Sequence, residues 1–115
     1  MSTKMRESQS AVIERGVDLV DVHDTEPFEV AWAGEARWYI HFLRPVEGGS
    51  AEFRVQISPD GLNWIDHDGI DPLVTDAQGF HSIPVDRFGH WLRLRSTRLS
   101  GAAEPLLRIY LELKE

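Results

Sequence analysis

The stretch from Phe53 to Ile65 constrains the fold most tightly, because it holds a strand and the turn that ends it. Apolar and polar residues alternate over 53–58, which is typical of a strand with one buried face and one wet face. Residues 58–61, Ser-Pro-Asp-Gly, then form a turn signature, since proline presets φ and glycine accepts a positive φ. We therefore expect the chain to reverse and Trp64 to cover the hairpin.

The same alternation recurs along the chain and predicts about eight short strands. They are expected at residues 17–22, 28–32, 37–43, 53–58, 63–65, 80–85, 90–97 and 106–113. Residues 11–16 fit either a helical turn or a first short strand. Strands separated by frequent turn signals predict an all-β fold, an antiparallel β-sandwich of the jelly-roll kind. Residues 37–43 are apolar on both faces, so this strand should be central, with its second face covered by a loop, an N-terminal arm or a partner.

The 115 residues are enough for one domain with its own core. Residues 1–12 begin with a polar stretch without periodicity and are expected to be an N-terminal arm, followed by a single sandwich domain over 13–115. The first ten residues lack the apolar run of a signal peptide, which predicts cytoplasmic synthesis without export, and no stretch is long enough to span a membrane. The net charge of -7 argues against a nucleic-acid partner.

An interaction surface is predicted on the last strands, where arginine is concentrated. Trp91, Arg93 and Arg95 share the outward face of one strand, and Arg108 and Tyr110 share a face of the closing strand. If the two strands belong to one sheet, these side chains form a surface suited to protein contact or to stacking on sugar rings. The alternative is that Trp91 lies under the arm or a loop.

The densest polar cluster lies in the expected loop over 66–79. Asp66, Asp68 and Asp71 offer oxygen ligands for calcium, but their spacing is not that of an EF-hand, so an ordinary solvated loop is favoured. The histidines lie in separate segments without zinc-ligand spacing, and cysteine is absent. Neither a nucleophile elbow nor a glycine-rich phosphate loop is present. We therefore expect no catalysis and no cofactor, with calcium as the alternative.

Three segments resemble discoidin-like domains, which are galactose-binding-like jelly rolls. Residues 55–64, Val-Gln-Ile-Ser-Pro-Asp-Gly-Leu-Asn-Trp, are similar to their Ser-x-Asp-Gly-x-x-Trp hairpin. Residues 89–94 are similar to the segment with an aromatic residue before an apolar-Arg-apolar strand, and residues 107–113 to the closing strand. The resemblance implies the fold and, more faintly, sugar or lipid binding. The matching residues are scaffold positions, so no ligand residue is carried over.

These observations predict a non-catalytic β-sandwich that is a structural or interaction module. It would self-associate or dock in a larger protein assembly, for example as a virion decoration, tail or shell component. The alternative is a carbohydrate-binding module of the discoidin-like type, with or without calcium. In that case Trp91, Tyr110 or the loop over 66–76 would form the site.

Overall fold

The computed structural model describes residues 6–115. This part of the chain contains ten strands and no helix. They are β1 (Ser8–Asp18), β2 (Val22–Asp24), β3 (Phe28–Glu29), β4 (Glu35–Arg44), β5 (Ser50–Ser58), β6 (Ile65–Asp66), β7 (Leu73–Asp76), β8 (Phe80–Val85), β9 (Trp91–Ser100) and β10 (Leu106–Lys114). Within this part of the chain, no helix could cross a membrane.

The strands form two antiparallel sheets with jelly-roll connectivity. One sheet has four strands in the order β1-β10-β4-β8. In the six-stranded sheet β9 and β5 are central, β2 and β3 both pair with β9, and β6 and β7 both pair with β5. If β2 with β3 and β6 with β7 each count as one position, the chain changes sheet at every step except from β5 to β6 and β7, which is the connectivity of a jelly roll. The predicted all-β, jelly-roll-like sandwich of about eight strands is thus confirmed.

The core lies between the sheets and is filled by the inward residues of the four longest central strands. Trp38 of β4 and Phe53 of β5 are fully buried, and the ring of Phe42 meets that of Phe53 edge-on with centroids 6.0 Å apart. Fully buried leucines from β9 and β10 complete the contact between the sheets: Leu92, Leu94, Leu107, Leu111 and Leu113. Burial of each such side chain contributes roughly 1.5–3 kcal/mol.

The predicted hairpin is present, with Ile57 opposite Ile65 in the register of β5 and β6. The buried Ser58 hydroxyl organises the turn by accepting hydrogen bonds from the backbone N–H of Gly61 at 2.8 Å and of Asp60 at 3.2 Å. Gly61 has a φ of 77°, and a Cβ there would lie 3.3 Å from the Trp91 ring. The ring against this turn is therefore that of Trp91 from β9, whereas Trp64 was expected to cover the hairpin.

The N-terminal boundary differs from the expected arm over residues 1–12. Residues 8–12 belong to β1 and pair with β10, from Ser8 opposite Lys114 to Val12 opposite Tyr110. Their side chains are too polar to show periodicity, but the backbone of β10 offers hydrogen-bond partners whatever the side chains are. Residues 1–5 of the expected arm lie outside the described residues. The segment over 11–16 is thus a strand, and the expected loop over 66–79 contains β7, which pairs with β5.

Two buried serines allow a matched test of what holds this fold together. Ser96 is fully buried and its hydroxyl has no hydrogen-bond partner among residues 6–115, whereas the hydroxyl of Ser58 bonds to the turn. We predict that Ser96→Ala leaves stability unchanged or raises it by up to about 1 kcal/mol, because it removes an unsatisfied polar group. Ser58→Ala should lower stability by about 1–2 kcal/mol. Urea unfolding measures both, and equal losses would contradict this account.

Candidate interaction surface

The sandwich has two outer faces, and the predicted surface is divided between them. Trp91, Arg93 and Arg95 belong to β9 in the six-stranded sheet, whereas Arg108 and Tyr110 belong to β10 in the four-stranded sheet. The condition that β9 and β10 share one sheet is thus not met. The single arginine-aromatic surface therefore does not form, and a binding role for these residues remains a prediction.

On the six-stranded sheet the outer face holds a polar layer, defined by Arg54, Gln56, Asp66 and Arg93. Arg93 Nε donates to Gln56 Oε1 at 2.7 Å, and Gln56 Nε2 donates to Asp66 Oδ1 at 2.9 Å. Arg54 Nη1 donates to the second oxygen of Asp66 at 3.0 Å. The Gln56 hydrogen bond, together with Arg54, lowers the pKa of Asp66. The Trp64 ring, whose centroid is 4.5 Å from the Arg93 guanidinium carbon, adds a cation–π contact.

Arg95, the second predicted arginine of this face, is paired as well. Arg95 donates from Nε and Nη2 to the two carboxylate oxygens of Asp24, at 2.8 and 2.9 Å. This bidentate pair lowers the pKa of Asp24 and fastens β2 to β9. The guanidinium groups of Arg93 and Arg95 thus already have carboxylate or amide partners within the chain. An anionic ligand on this face would have to displace them.

The candidate calcium ligands do not converge. Asp66 is part of the polar layer, Asp68 points into solvent with 94% of its side chain exposed, and Asp71 lines a cleft at one end of the sandwich. Over residues 6–115 no group of three or more His, Asp or Glu side chains is placed to hold a metal ion. The three aspartates therefore do not make up a joint ligand set.

His67, in the same segment, is buried and links two loops. Its Nδ1 accepts a hydrogen bond from the Gly69 N–H at 2.9 Å, so its Nε2 is the atom that donates to the Asp86 carbonyl at 2.6 Å. The bond to Asp86 joins the β6–β7 connection to the β8–β9 connection. A side chain held by two backbone groups in this way has a structural role.

The four-stranded sheet carries a different outer face, whose main feature is an aromatic strip of Tyr39, Phe80 and Tyr110. Tyr110 of β10 lies opposite Tyr39 of β4 in register. The rings of Tyr39 and Phe80, the latter from β8, stack with centroids 5.7 Å apart and an angle of 17°. Val12 of β1 lies beside Tyr110 and extends the strip to the sheet edge. Three strand spacings make this row about 14 Å long.

The strip is open at both ends. Phe80 is 59% exposed and Val12 is 45% exposed. A shallow and mostly apolar groove of about 210 Å³ lies along it, bordered by Ser10 and Glu112 as well as the three rings. β4 is central, as predicted, because it lies between β10 and β8. Among the described residues, the loop or arm expected over its second face does not cover Phe80.

The larger cleft, of about 630 Å³, lies where the ends of β4, β8 and β10 meet the loop after β6. Its ionisable side chains are Glu35, Arg37, Asp71, Asp86, Glu112 and Lys114. Arg37 Nη1 donates to Ser82 Oγ at 2.9 Å, which directs it toward β8. Acidic and basic groups are mixed in this cleft, and its lining residues include no serine, threonine or histidine.

Tyr39 and Phe80 were not among the predicted surface residues. The sequence did indicate an apolar outer face at Tyr39, since residues 37–43 are apolar on both faces. It did not indicate which residues of other strands lie beside Tyr39. Phe80 starts a strand at a distant point in the sequence. Only the pairing of β8 with β4 brings the two rings together.

Comparison with known proteins supports the fold. No family model and no curated protein matches the sequence. Among solved structures, the SPBc2 prophage-derived protein YomS is 10% identical, with a TM-score of 0.62 over 100% of this chain and 99% of YomS. The PBSX exported protein XepA is 9% identical, with a TM-score of 0.61 over 95% of this chain. A structure of Bacillus endospore appendages, described as disulfide-linked pili, is 12% identical, with a TM-score of 0.56 over 98% of this chain and 89% of that one.

The chain spans only 36% of XepA but almost all of YomS. At these identities the likeness shows a shared β-sandwich fold and nothing about activity. It does not bear specifically on the resemblance to discoidin-like domains.

The turn that supports the polar layer depends on a carboxylate. Asp60 Oδ1 accepts the backbone N–H groups of Asn63 and Leu62, each at 2.9 Å, and the Ser58 hydroxyl at 3.0 Å. Asp60 Oδ2 accepts from the Asn63 side chain at 2.7 Å. These bonds, led by that from the Asn63 backbone, hold the pKa of Asp60 well below its ordinary value of 3.8.

This lowered pKa predicts a loss of stability in acid. The Asp60 carboxylate contributes fully to the free energy of unfolding above about pH 4, which is its pKa in the unfolded chain. This contribution is lost as the pH falls toward the lower pKa of Asp60 in the folded chain. Asp60→Asn should therefore lower the Tm at pH 7, and its difference from the wild type should shrink between about pH 4 and pH 2. Thermal unfolding by circular dichroism, with Glu47→Gln as the exposed control, measures this. A difference that does not change with pH would contradict it.

Proposed function

We propose that this chain is a non-catalytic structural module that self-associates or docks in a larger protein assembly through the aromatic strip. The strip is the observation that carries the proposal. Its three rings lie on neighbouring strands, and Phe80 at one end is more than half exposed. Aromatic side chains held on a sheet lose little conformational freedom when a partner covers them, which makes them effective contact residues.

The contrast between the two outer faces supports this choice of surface. On the six-stranded sheet, the arginines are bonded to Gln56 and Asp24, so a partner there would compete with bonds already made. On the four-stranded sheet, the rings of Tyr39 and Phe80 stack on each other, and covering them would remove apolar surface from water. Full burial of an exposed aromatic side chain contributes roughly 1.5–3 kcal/mol. Tyr39 and Tyr110 are already partly buried, so Phe80 has the most apolar surface to lose to a partner.

The fold comparison agrees with a role in assembly. Of the similar structures, one is a prophage-derived protein and another is described as forming pili. This support is by analogy of fold, because the sequence identities are only 10% and 12%. A virion decoration, tail or shell component is the setting we propose.

Carbohydrate binding is the second candidate, and the groove beside the strip favours it. Tyr39 and Phe80 offer ring faces, while Ser10 and Glu112 place polar groups at the border. An apolar floor with a few polar groups at its margin is typical of small-ligand sites. In this second candidate the sugar would bind on the four-stranded sheet, in the groove that the predicted residue Tyr110 helps to line.

Mass by light scattering over a range of protein concentrations tests the first candidate. We expect the mass to rise above that of the monomer, and Phe80→Ser to raise the dissociation constant at least tenfold, a loss of about 1.4 kcal/mol. Leu62→Ser is the matched control, since Leu62 is 82% exposed but lies in the hairpin of the other sheet. It should leave the association unchanged. Circular dichroism confirms that both variants fold.

A mass equal to the monomer at every concentration would reject self-association. A glycan array, probed with and without calcium, then decides the second candidate. Glycan binding that is lost in Tyr39→Ala supports a sugar site on the strip, and silence across the array rejects it.

A further inference from the structure

The outermost strand β1 offers the longest unpaired edge among the described residues. It has 11 residues and pairs with β10 alone, whereas β8 at the opposite edge of the same sheet has six. The strands at the edges of the six-stranded sheet have between two and four residues each. Short edge strands resist pairing with other chains, and a long edge invites it.

The alternation of an antiparallel ladder shows which groups of β1 face the open side. Glu115 N donates to Glu7 O at 2.9 Å, and Ser8 follows opposite Lys114 in register. Since alternate residues turn their backbone groups toward and away from the neighbouring strand, Ser8, Ser10 and Val12 turn theirs away from β10. All three residues are exposed. Their N–H and C=O groups form a row along the sheet edge.

The row lacks the devices that usually protect an edge. Residues 8–13, Ser-Gln-Ser-Ala-Val-Ile, contain no charge and no proline. By contrast β8 contains Pro84, which has no N–H, and the short β6 and β7 each carry an aspartate, Asp66 and Asp76. The register shift of β1 comes only after Val12, so the regular part of the edge runs from Ser8 to Val12.

We propose that this edge pairs with the same edge of a second copy of the chain, antiparallel, about a two-fold axis at Ser10. Ser10 then lies opposite Ser10 of the second copy, and Ser8 lies opposite Val12. Each of these pairs exchanges both of its N–H···O=C bonds, because all three residues turn their backbone groups outward. The two four-stranded sheets become one sheet of eight strands. This inference rests on the self-association part of the proposed function, but it assigns the contact between copies to the β1 edge and leaves the aromatic strip, which ends at Phe80 on the opposite edge, for a further partner.

Pairing of like edges fits better than head-to-tail pairing of β1 with β8. Pro84 removes a donor from the β8 edge, whereas β1 matches itself about a two-fold axis and gives a closed dimer. The axis is perpendicular to the sheet, so the outer faces of both copies lie on the same side. The dimer would therefore present two aromatic strips on one surface, which gives a further partner two points of contact.

The mass of the Ser10→Pro variant tests the pairing. Proline removes the outward N–H at the axis without removing a bond to β10, so the fold should be retained. We expect the dissociation constant to rise at least tenfold. Ser10→Val is the matched control, because it keeps the N–H and suits a strand, and it should associate as the wild type does. Ser10→Lys is a second disrupting variant without backbone change, since it sets two like charges opposite each other.

Cross-linking tests the register in a chain that has no cysteine of its own. Ser10→Cys should form dimers with a short bifunctional thiol reagent. Ser8→Cys alone should not, because the two copies of that position lie four residues apart along the strands, about 14 Å. A mixture of Ser8→Cys and Val12→Cys chains should cross-link again, since these positions face each other.

The outcomes separate this inference from the proposed function. Wild-type association that withstands both Ser10→Pro and Ser10→Lys would overturn the edge pairing, while loss of association in Phe80→Ser would still support the strip. Association that is lost in both Ser10 variants but kept in Phe80→Ser supports the edge and rejects the strip as the contact between copies. A wild-type chain that is monomeric at every concentration overturns the edge pairing and rejects self-association, and only docking with a different protein is then left of the proposed function.

Discussion

Burial of one face of each long strand in a shared core is the constraint on which the rest of this structure depends. Trp38 and Phe53 project into that core from opposite sheets and are fully buried. Because side chains alternate along a strand, filling the core leaves every other residue on an outer face. What the protein can do with a partner is therefore decided by those outer residues and by the free edges of the two sheets.

The two outer faces satisfy their side chains in different ways. On the six-stranded sheet Gln56 is buried between Arg93 and Asp66, and the hairpin supplies Trp64 above this arginine. The charged side chains of that face thus bind to other groups of the same chain. On the four-stranded sheet the Phe80 ring contacts those of Tyr39 and His41, and Phe80 is still more than half exposed. The face suited to contact is the one with an exposed aromatic ring.

The sequence was sufficient for features that depend on near neighbours. Alternation predicts the strands, and Ser-Pro-Asp-Gly predicts the turn in which Ser58 and Asp60 make their bonds. It was not sufficient for sheet membership, which depends on pairings far apart in the chain. Trp91 and Tyr110 were expected on one surface but lie in different sheets. Residues 8–12 form a strand because β10 pairs with them, a cause that their own polar side chains do not show.

Amide hydrogen exchange measured by NMR at low and high protein concentration tests the central claim that copies meet along the four-stranded sheet. The account predicts that the amides of Ser8, Ser10 and Val12 become protected as concentration rises, while those of β2 and β7 at the edges of the other sheet do not change. Protection that increases in β2 or β7 and leaves β1 unaffected would contradict it and place the contact on the six-stranded sheet.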